Sequence, residues 1–278
     1  MRFRKIYLEI SNICNLKCHF CPGTRRNTHA MTEAEFSALL PKLRPYSEYL
    51  YFHLMGEPLC HPKLEKFLEL AGGFGFKVIL TTNGTLLKKN QRMLLNAPAL
   101  HKINISLHAF EANDLAVPFS SYLEDCFTFG KAVNGQKLVV YRLWNNGGAD
   151  QKNQEILHSM EKFFPLPWYA ERRGQRIADR TYLEYGDKFD WPDLSAADTG
   201  EQVFCYGLRD QIGVLCDGTV VPCCLDHEGD IALGNLFHEE MADILEKPRA
   251  KAIFEGFSRN YAAEPLCRRC GYAGRFRK

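Results

Sequence analysis

Short runs of alternating or continuous apolar residues recur along the chain and are separated by longer stretches whose apolar positions repeat every three to four residues. The first pattern belongs to strands and the second to amphipathic helices. Lys5-Ile6-Tyr7-Leu8-Glu9-Ile10 reads as the first strand, with further strands near 48–54, 76–81, 101–107 and 137–144. Helical periodicity falls near 32–43, 61–71, 86–96, 120–133 and 150–164, and Thr32 followed by Glu35 is a capping-box signal for the first of these. Five strand-helix units in succession predict an α/β architecture with a parallel sheet. A sixth strand is weakly marked between 166 and 186. The polar, turn-rich stretch from Gly186 to Gly200 separates two expected domains, 1–200 and 201–278. In the second, Ile212 to Cys223 reads as a hairpin turning at Asp217-Gly218, followed by a helix near 238–247.

A chain of 278 residues with 46% hydrophobic and 24% charged residues buries a full core, and long disorder is excluded. A net charge of +2 gives no bulk electrostatic reason for binding nucleic acid. No apolar run approaches the roughly 18 residues of a membrane span, and no signal-peptide core follows Met1. The expectation is a cytoplasmic protein with neither a membrane nor a nucleic-acid partner. Because little chain precedes the first strand, no fused peptide-recognition domain is expected ahead of it.

Eleven cysteines change this picture. A reducing compartment does not support a disulfide framework, so metal or redox chemistry is the better reading. Cys14, Cys18 and Cys21 form a Cx3Cx2C triplet directly after the first strand. Three thiolates are one short of a closed site. Either His19 completes a zinc site, or the triplet holds a 4Fe-4S cube whose fourth iron is left for a ligand that is not protein. A second group, Cys205-x17-Cys223-x43-Cys267-x2-Cys270, supplies four thiolates, enough for a structural zinc or a second cube. Cys60 and Cys126 read as core residues, and Cys216 and Cys224 are left over. Other chemistry-bearing residues fall at the carboxyl ends of the expected strands, where α/β barrels build their sites. These are Gly56-Glu57-Pro58, Asn83-Gly84, Ser106 and His108, with Arg142 in the fifth strand.

The triplet with Phe20 before its last cysteine resembles the hallmark of the radical S-adenosylmethionine (radical SAM) enzymes, and the second group resembles the SPASM/twitch extension, since Cys205-x12-Gly218-x4-Cys223 fits its opening pattern. The resemblance implies a partial (β/α)6 TIM-type barrel with a small C-terminal cluster-binding domain. It implies that Cys14, Cys18 and Cys21 bind a 4Fe-4S cluster whose fourth iron takes S-adenosylmethionine. Gly56-Glu57-Pro58 would contact the methionyl amine, Asn83, Ser106, His108 and Arg142 would line the ribose and carboxylate, and Phe20 would lie near the adenine. His108 departs from the pattern, because many relatives carry an acid there. Phe276 stands where the full SPASM form has a further cysteine, so one auxiliary 4Fe-4S cluster on Cys205, Cys223, Cys267 and Cys270 is implied.

The expected function is reductive cleavage of S-adenosylmethionine to a 5′-deoxyadenosyl radical that abstracts a hydrogen from a peptide or small molecule. The auxiliary cluster would assist oxidation or bond formation, and a flavodoxin or ferredoxin would supply electrons. Sulfatase-maturing relatives place an Asp directly after the cluster cysteine, where this chain has Cys224. Cys224 and Cys216 are therefore candidate catalytic thiols for an epimerase, with inert burial as the alternative. A non-enzymatic metal-binding scaffold, offering the basic tail Arg268 to Lys278 to a partner, is the rival from another class, and the basic run Arg172 to Arg180 reads as solvated surface or a seat for an acidic substrate.

Overall fold

Strands β1 (Lys5–Leu8), β2 (Tyr49–Phe52), β3 (Lys77–Thr82), β4 (Leu100–Ser106), β5 (Leu138–Asn146) and β8 (Thr181–Asp187) lie side by side and parallel in that order. The first four crossovers each carry a helix: α1 (Glu33–Leu43), α2 (Leu64–Gly73), α3 (Leu87–Asn96) and α4 (Phe119–Val133). The fifth carries α5 (Asn153–Phe163) and then a hairpin of β6 (Tyr169–Glu171) and β7 (Gly174–Ala178), antiparallel to each other and to β8. The structure, a computed structural model, describes residues 2–113, 117–148 and 150–276. Arg277 and Lys278 of the basic tail lie outside the described residues.

Each expected strand and helix of the first half is present, with ends shifted by a few residues. Thr32 caps α1 with the reciprocal Thr32–Glu35 bonds of a capping box. The weakly marked sixth strand is β8.

Six parallel strands do not close into a barrel here. On the far side of β8 stands β7, and on the far side of β1 stands β9 (Gln211–Val214), parallel to it in the register Lys5↔Gln211 to Leu8↔Val214. The expected hairpin then forms, β10 (Thr219–Val221) returning along β9 and β11 (Gly234–Asn235) completing an eleven-stranded sheet. The helix expected near 238–247 is α6 (Met241–Glu246), and a second, α7 (Pro248–Ser258), follows after Lys247. No helix of the described residues is long and apolar enough to cross a membrane.

Strand alternation gives the sheet two faces of different character. Ile6, Leu8, Phe52, Leu80, Ile105 and Tyr141 are fully buried or nearly so under the helices, packed on residues such as Phe36, Phe67 and Phe127. The opposite, concave face presents Lys5, Tyr7, Tyr51, Lys102, Asn104, Ser106, Arg142, Trp144 and Glu184. The helix-covered face supplies the stability and the concave face is free to carry chemistry.

Candidate functional site

The loop of Cys14 to Cys21 leaves the carboxyl end of β1 and is held from two sides. The 83–85 turn grips it through Asn83 Nδ2 to Asn15 Oδ1 at 2.9 Å and Asn15 Nδ2 to Thr85 Oγ1 at 2.9 Å. From the other side, Asn113 Oδ1 accepts the Lys17 N–H at 3.0 Å, and its Nδ2 donates to Cys18 Sγ at 3.1 Å. Cys14 and Cys21 are exposed and Cys18 is half-buried, and none forms a disulfide. Burial, together with the neighbouring thiols, raises Cys18 and brings Cys14 to about 11. The apo loop therefore carries neutral thiols that a metal must deprotonate. Three sulfurs on one pinned loop, with charges that oppose one another, fit a cationic cluster with an open corner. His19 is tied to Ala112 O by its N–H and lies 3.3 Å from the same oxygen through Nδ1.

Gly56 and Glu57 support this loop from below. Gly56 has φ +77°, and a Cβ there would stand 2.3 Å from Ser11 O, so only glycine lets the β2 exit pass so close to the root of the loop. Glu57 N–H donates to Ile13 O at 2.9 Å. The Glu57 carboxylate accepts from Thr82 Oγ1 at 2.8 Å, Asn83 N–H at 2.7 Å and Leu59 N–H at 3.0 Å. Burial nonetheless lifts it to about 7. Pro58 opens the buried 3-10 turn that follows. Gly56→Ala combines left-handed strain with a backbone clash, and a loss of about 3 kcal/mol or more in urea unfolding is the expected outcome.

His108, buried beyond the end of β4, has its ring centroid 5.1 Å from that of Phe20, so these two sequence-expected residues meet at the cysteine loop. His108 Nδ1 lies 3.1 Å from Arg142 O and 3.4 Å from the Trp144 N, so the ring is anchored to the β5 backbone through this one nitrogen. Burial depresses both His108 and His53 to about 4. Between pH 6.5 and 5 each of these histidines binds more protons in the unfolded chain than in the folded one and so removes about 2 kcal/mol on acidification, while Glu57, at about 7, and Asp226, raised by burial to about 6, act in the opposite sense. Urea midpoints at pH 7 and pH 5 test this: the double variant His53→Gln with His108→Gln is expected to lose less stability, or gain more, over that interval than the native chain. Ser106 ends β4 opposite Arg142. The Arg142 guanidinium turns away from the histidine: it stacks 4.5 Å from the Trp144 ring, with Nε 3.7 Å from Glu184 Oε2.

In the C-terminal part Cys205, Cys223, Cys267 and Cys270 line one cavity, walled by apolar groups such as Val203, Leu225, Ile231 and Phe257. Burial and the mutual repulsion of their thiolates raise Cys223 and Cys267 well above the ordinary thiol range. Among the described residues no three Cys, His, Asp or Glu side chains form a group that holds a single metal ion; four sulfurs ringing a shared apolar space suit a polynuclear cluster. Cys224, next in the chain, packs with Tyr7, Leu54, Leu215 and Val221 on the concave face. Burial brings its thiol to about 11, the Tyr7 hydroxyl hydrogen bond opposing. Cys216 is not with them. It is fully buried at the end of β9, its Sγ 3.7 Å from Arg26 Nη1, and burial pushes it to about 12.

Sequence reasoning missed the group beside Cys216. The Glu9 side chain is 0% exposed, accepts two 2.8 Å bonds from Arg26 Nη2, and accepts the N–H groups of Met55 and Cys216 at 3.2 Å each. One carboxylate thereby joins β1, the exit of the cysteine loop, the end of β2 and β9. The signal was a charged residue inside an otherwise apolar strand run. Asp226, which lines the auxiliary cavity and accepts the Asp230 and Ile231 N–H groups, was also missed.

Residues 8–126 match the radical SAM superfamily, and residues 205–271 match SPASM, an iron-sulfur cluster-binding domain. The chain is a radical SAM protein with a C-terminal SPASM domain, and those domains imply S-adenosylmethionine and 4Fe-4S clusters as its cofactors. Among curated relatives, it is 27% identical over 114 residues to the S-adenosyl-L-methionine-dependent 2-deoxy-scyllo-inosamine dehydrogenase of Niallia circulans, 38% of this chain and 46% of that protein. It is 22% identical over 303 residues to the subtilosin biosynthesis protein AlbA of Bacillus subtilis, 96% of this chain and 64% of that one. The chain thus spans about half to two thirds of these relatives. Among solved structures, BtrN in complex with AdoMet and 2-DOIA aligns with a TM-score of 0.62 at 19% identity over 97% of this chain and 94% of that one. SuiB of Streptococcus suis bound to S-adenosylmethionine aligns at 0.66 and 16%, over 97% and 72%. At these identities the structural likeness establishes the fold.

Proposed function

We propose that the chain is a radical SAM oxidoreductase that cleaves S-adenosylmethionine reductively and removes a hydrogen atom from a substrate on the concave face. Held at a low-potential cluster, the sulfonium supplies a carbon radical on receipt of one electron. Cys14, Cys18 and Cys21 hold that cluster. Gly56, Glu57, Pro58, Asn83, Ser106 and His108 shape the cofactor's seat with Phe20, and Arg142 stands where that seat opens onto the concave face. In an oxidation the substrate carbon loses one hydrogen atom, then one proton and one electron, and the electron passes to an auxiliary cluster on Cys205, Cys223, Cys267 and Cys270. The barrel comprises 1–200 and the auxiliary domain 201–278. A flavodoxin or ferredoxin of the cytoplasm is the reductant.

One observation carries this reading: Cys223 lines the auxiliary cavity while its neighbour Cys224 enters the concave face beside Tyr7. A substrate there lies one residue from the electron acceptor.

Anaerobic reconstitution tests the proposal. About eight irons per chain and dithionite-dependent 5′-deoxyadenosine are expected; zinc at both sites without cleavage ends it. Cys224 supports a second reading, epimerisation, since a thiol held near 11 keeps its S–H at neutral pH. Deuterium entering product from D2O, and its loss in Cys224→Ala, distinguishes the two.

A further inference from the structure

The concave face holds more positive charge than the protein itself neutralises. Lys5, Lys102 and Arg142 share it with the carboxylate of Glu184, whose Oε2 stays 3.7 Å from Arg142 Nε. Asp210, at the rim beside Lys5, pairs with Arg4 at 3.7 Å. Among the described residues no hydrogen bond or ion pair engages the Nζ of Lys5 or Lys102, although both are half-buried; Lys5 only lies 5.9 Å over the Tyr51 ring. Burial lowers both ammoniums, Arg142 and Arg173 lower them further, and Glu184 opposes this at Lys102 as Cys224 and Asp210 do at Lys5. Half-buried cations that repel one another are costly unless an anion joins them.

The same face also collects every buried side-chain polar atom that lacks a hydrogen-bond partner among the described residues: Asn104 Oδ1, Arg142 Nε and Trp144 Nε1. Such atoms are uncommon in folded proteins and call for a missing ligand. These three sit on adjacent strands, β4 and β5, as two donors and one acceptor. A cavity of about 300 Å3 is lined by Lys102, Val140, Tyr182 and Glu184 together with Glu171, Arg172 and Arg173 of the β6–β7 turn.

We propose that the substrate is a small hydroxylated phosphate ester whose phosphoryl group seats among Lys5, Lys102 and Arg142 and whose hydroxyl meets Asn104 Oδ1. This rests on the concave face being the substrate side of the radical reaction proposed above. Lys5, Lys102 and Arg142 outnumber the Glu184 carboxylate among them by two positive charges, which matches a phosphoryl dianion. Trp144 Nε1 and Arg142 Nε add directed donors. An amine, such as the inosamine in the name of the Niallia circulans relative, would meet repulsion here.

Equilibrium dialysis of the cluster-loaded chain against radiolabelled orthophosphate reads the site without turnover. Saturable binding is expected, displaced by glycerol 3-phosphate at lower concentration than by orthophosphate, and at least tenfold better than by succinate. Lys5→Gln and Lys102→Gln each weaken it tenfold or more, while Lys102→Arg stays within threefold; iron content confirms that the variants are folded. Succinate displacing as well as phosphate, orthophosphate outcompeting the ester, or binding unchanged in Lys102→Gln overturns the proposal. Cleavage of S-adenosylmethionine without phosphate binding overturns this proposal alone, whereas phosphate binding without cleavage removes the radical reaction and leaves the anion site.

Discussion

Cys18→Ala is expected to hold about four irons per chain instead of about eight and to lose 5′-deoxyadenosine formation by at least about a thousandfold. The reasoning starts from geometry. Cys18 is the one half-buried sulfur of its triplet, and it receives the Asn113 amide at 3.1 Å. That amide group also fixes the loop backbone at Lys17, and the Asn15–Asn83–Thr85 bonds fix it from the other side. Removing one sulfur therefore leaves the loop in place and deletes a ligand. Two thiolates do not retain a cube whose fourth corner belongs to a small molecule. Cys126→Ala is the control: its thiol is fully buried in the helix-covered core, far from any cluster ligand in role, and iron stays at about eight. Full iron and undiminished cleavage in Cys18→Ala would show that the triplet is not the cluster site.

The second large effect separates the two halves. In Cys223→Ala iron again falls to about four, but 5′-deoxyadenosine continues to form, while oxidised product falls by about a hundredfold or more. Four thiols ring the auxiliary cavity, and burial holds Cys223 and Cys267 well above the ordinary range, so the empty site is a set of neutral, mutually compatible side chains. The domain then tolerates loss of one ligand without a buried charge being stranded. Continued cleavage shows that the barrel is intact and assigns the lost product to the missing acceptor. Product formed at the native rate with a single zinc in that site sinks the redox role and leaves a structural staple.

How much of this the sequence disclosed depends on whether the signal was local. Thr32 and Glu35 announce the start of α1 because a capping box is completed within four residues. The cysteines announce two sites because ligand spacing is itself sequence information. Between 166 and 186 the pattern yields one weak strand where the chain forms three, since β6 and β7 are short and exposed and bury almost no apolar face. The helix α7 was missed although Pro248 stands at its first position, a start signal hidden behind the end of α6.

The concave cations were illegible for a different reason. A lysine alternating with apolar residues reads as solvent-facing, and only the sheet order, with β1 three strands from β4, puts Lys5 and Lys102 on one shared face. Arg142 was legible as a notable residue of its strand, but not that its carbonyl would meet His108 while its guanidinium faces Glu184. Glu9 needed Arg26 from 17 residues away and Cys216 from 207 away before its burial made sense.

That last separation bears on how the molecule is made. β1 leaves the ribosome long before β9, the strand that covers one of its two edges. Until that late strand is synthesised, the growing polypeptide displays an unsatisfied ladder of N–H and C=O groups, the kind of surface that recruits unwanted neighbours. Nascent chains stalled before Val214 should therefore lean on chaperones far more heavily than those stalled after it.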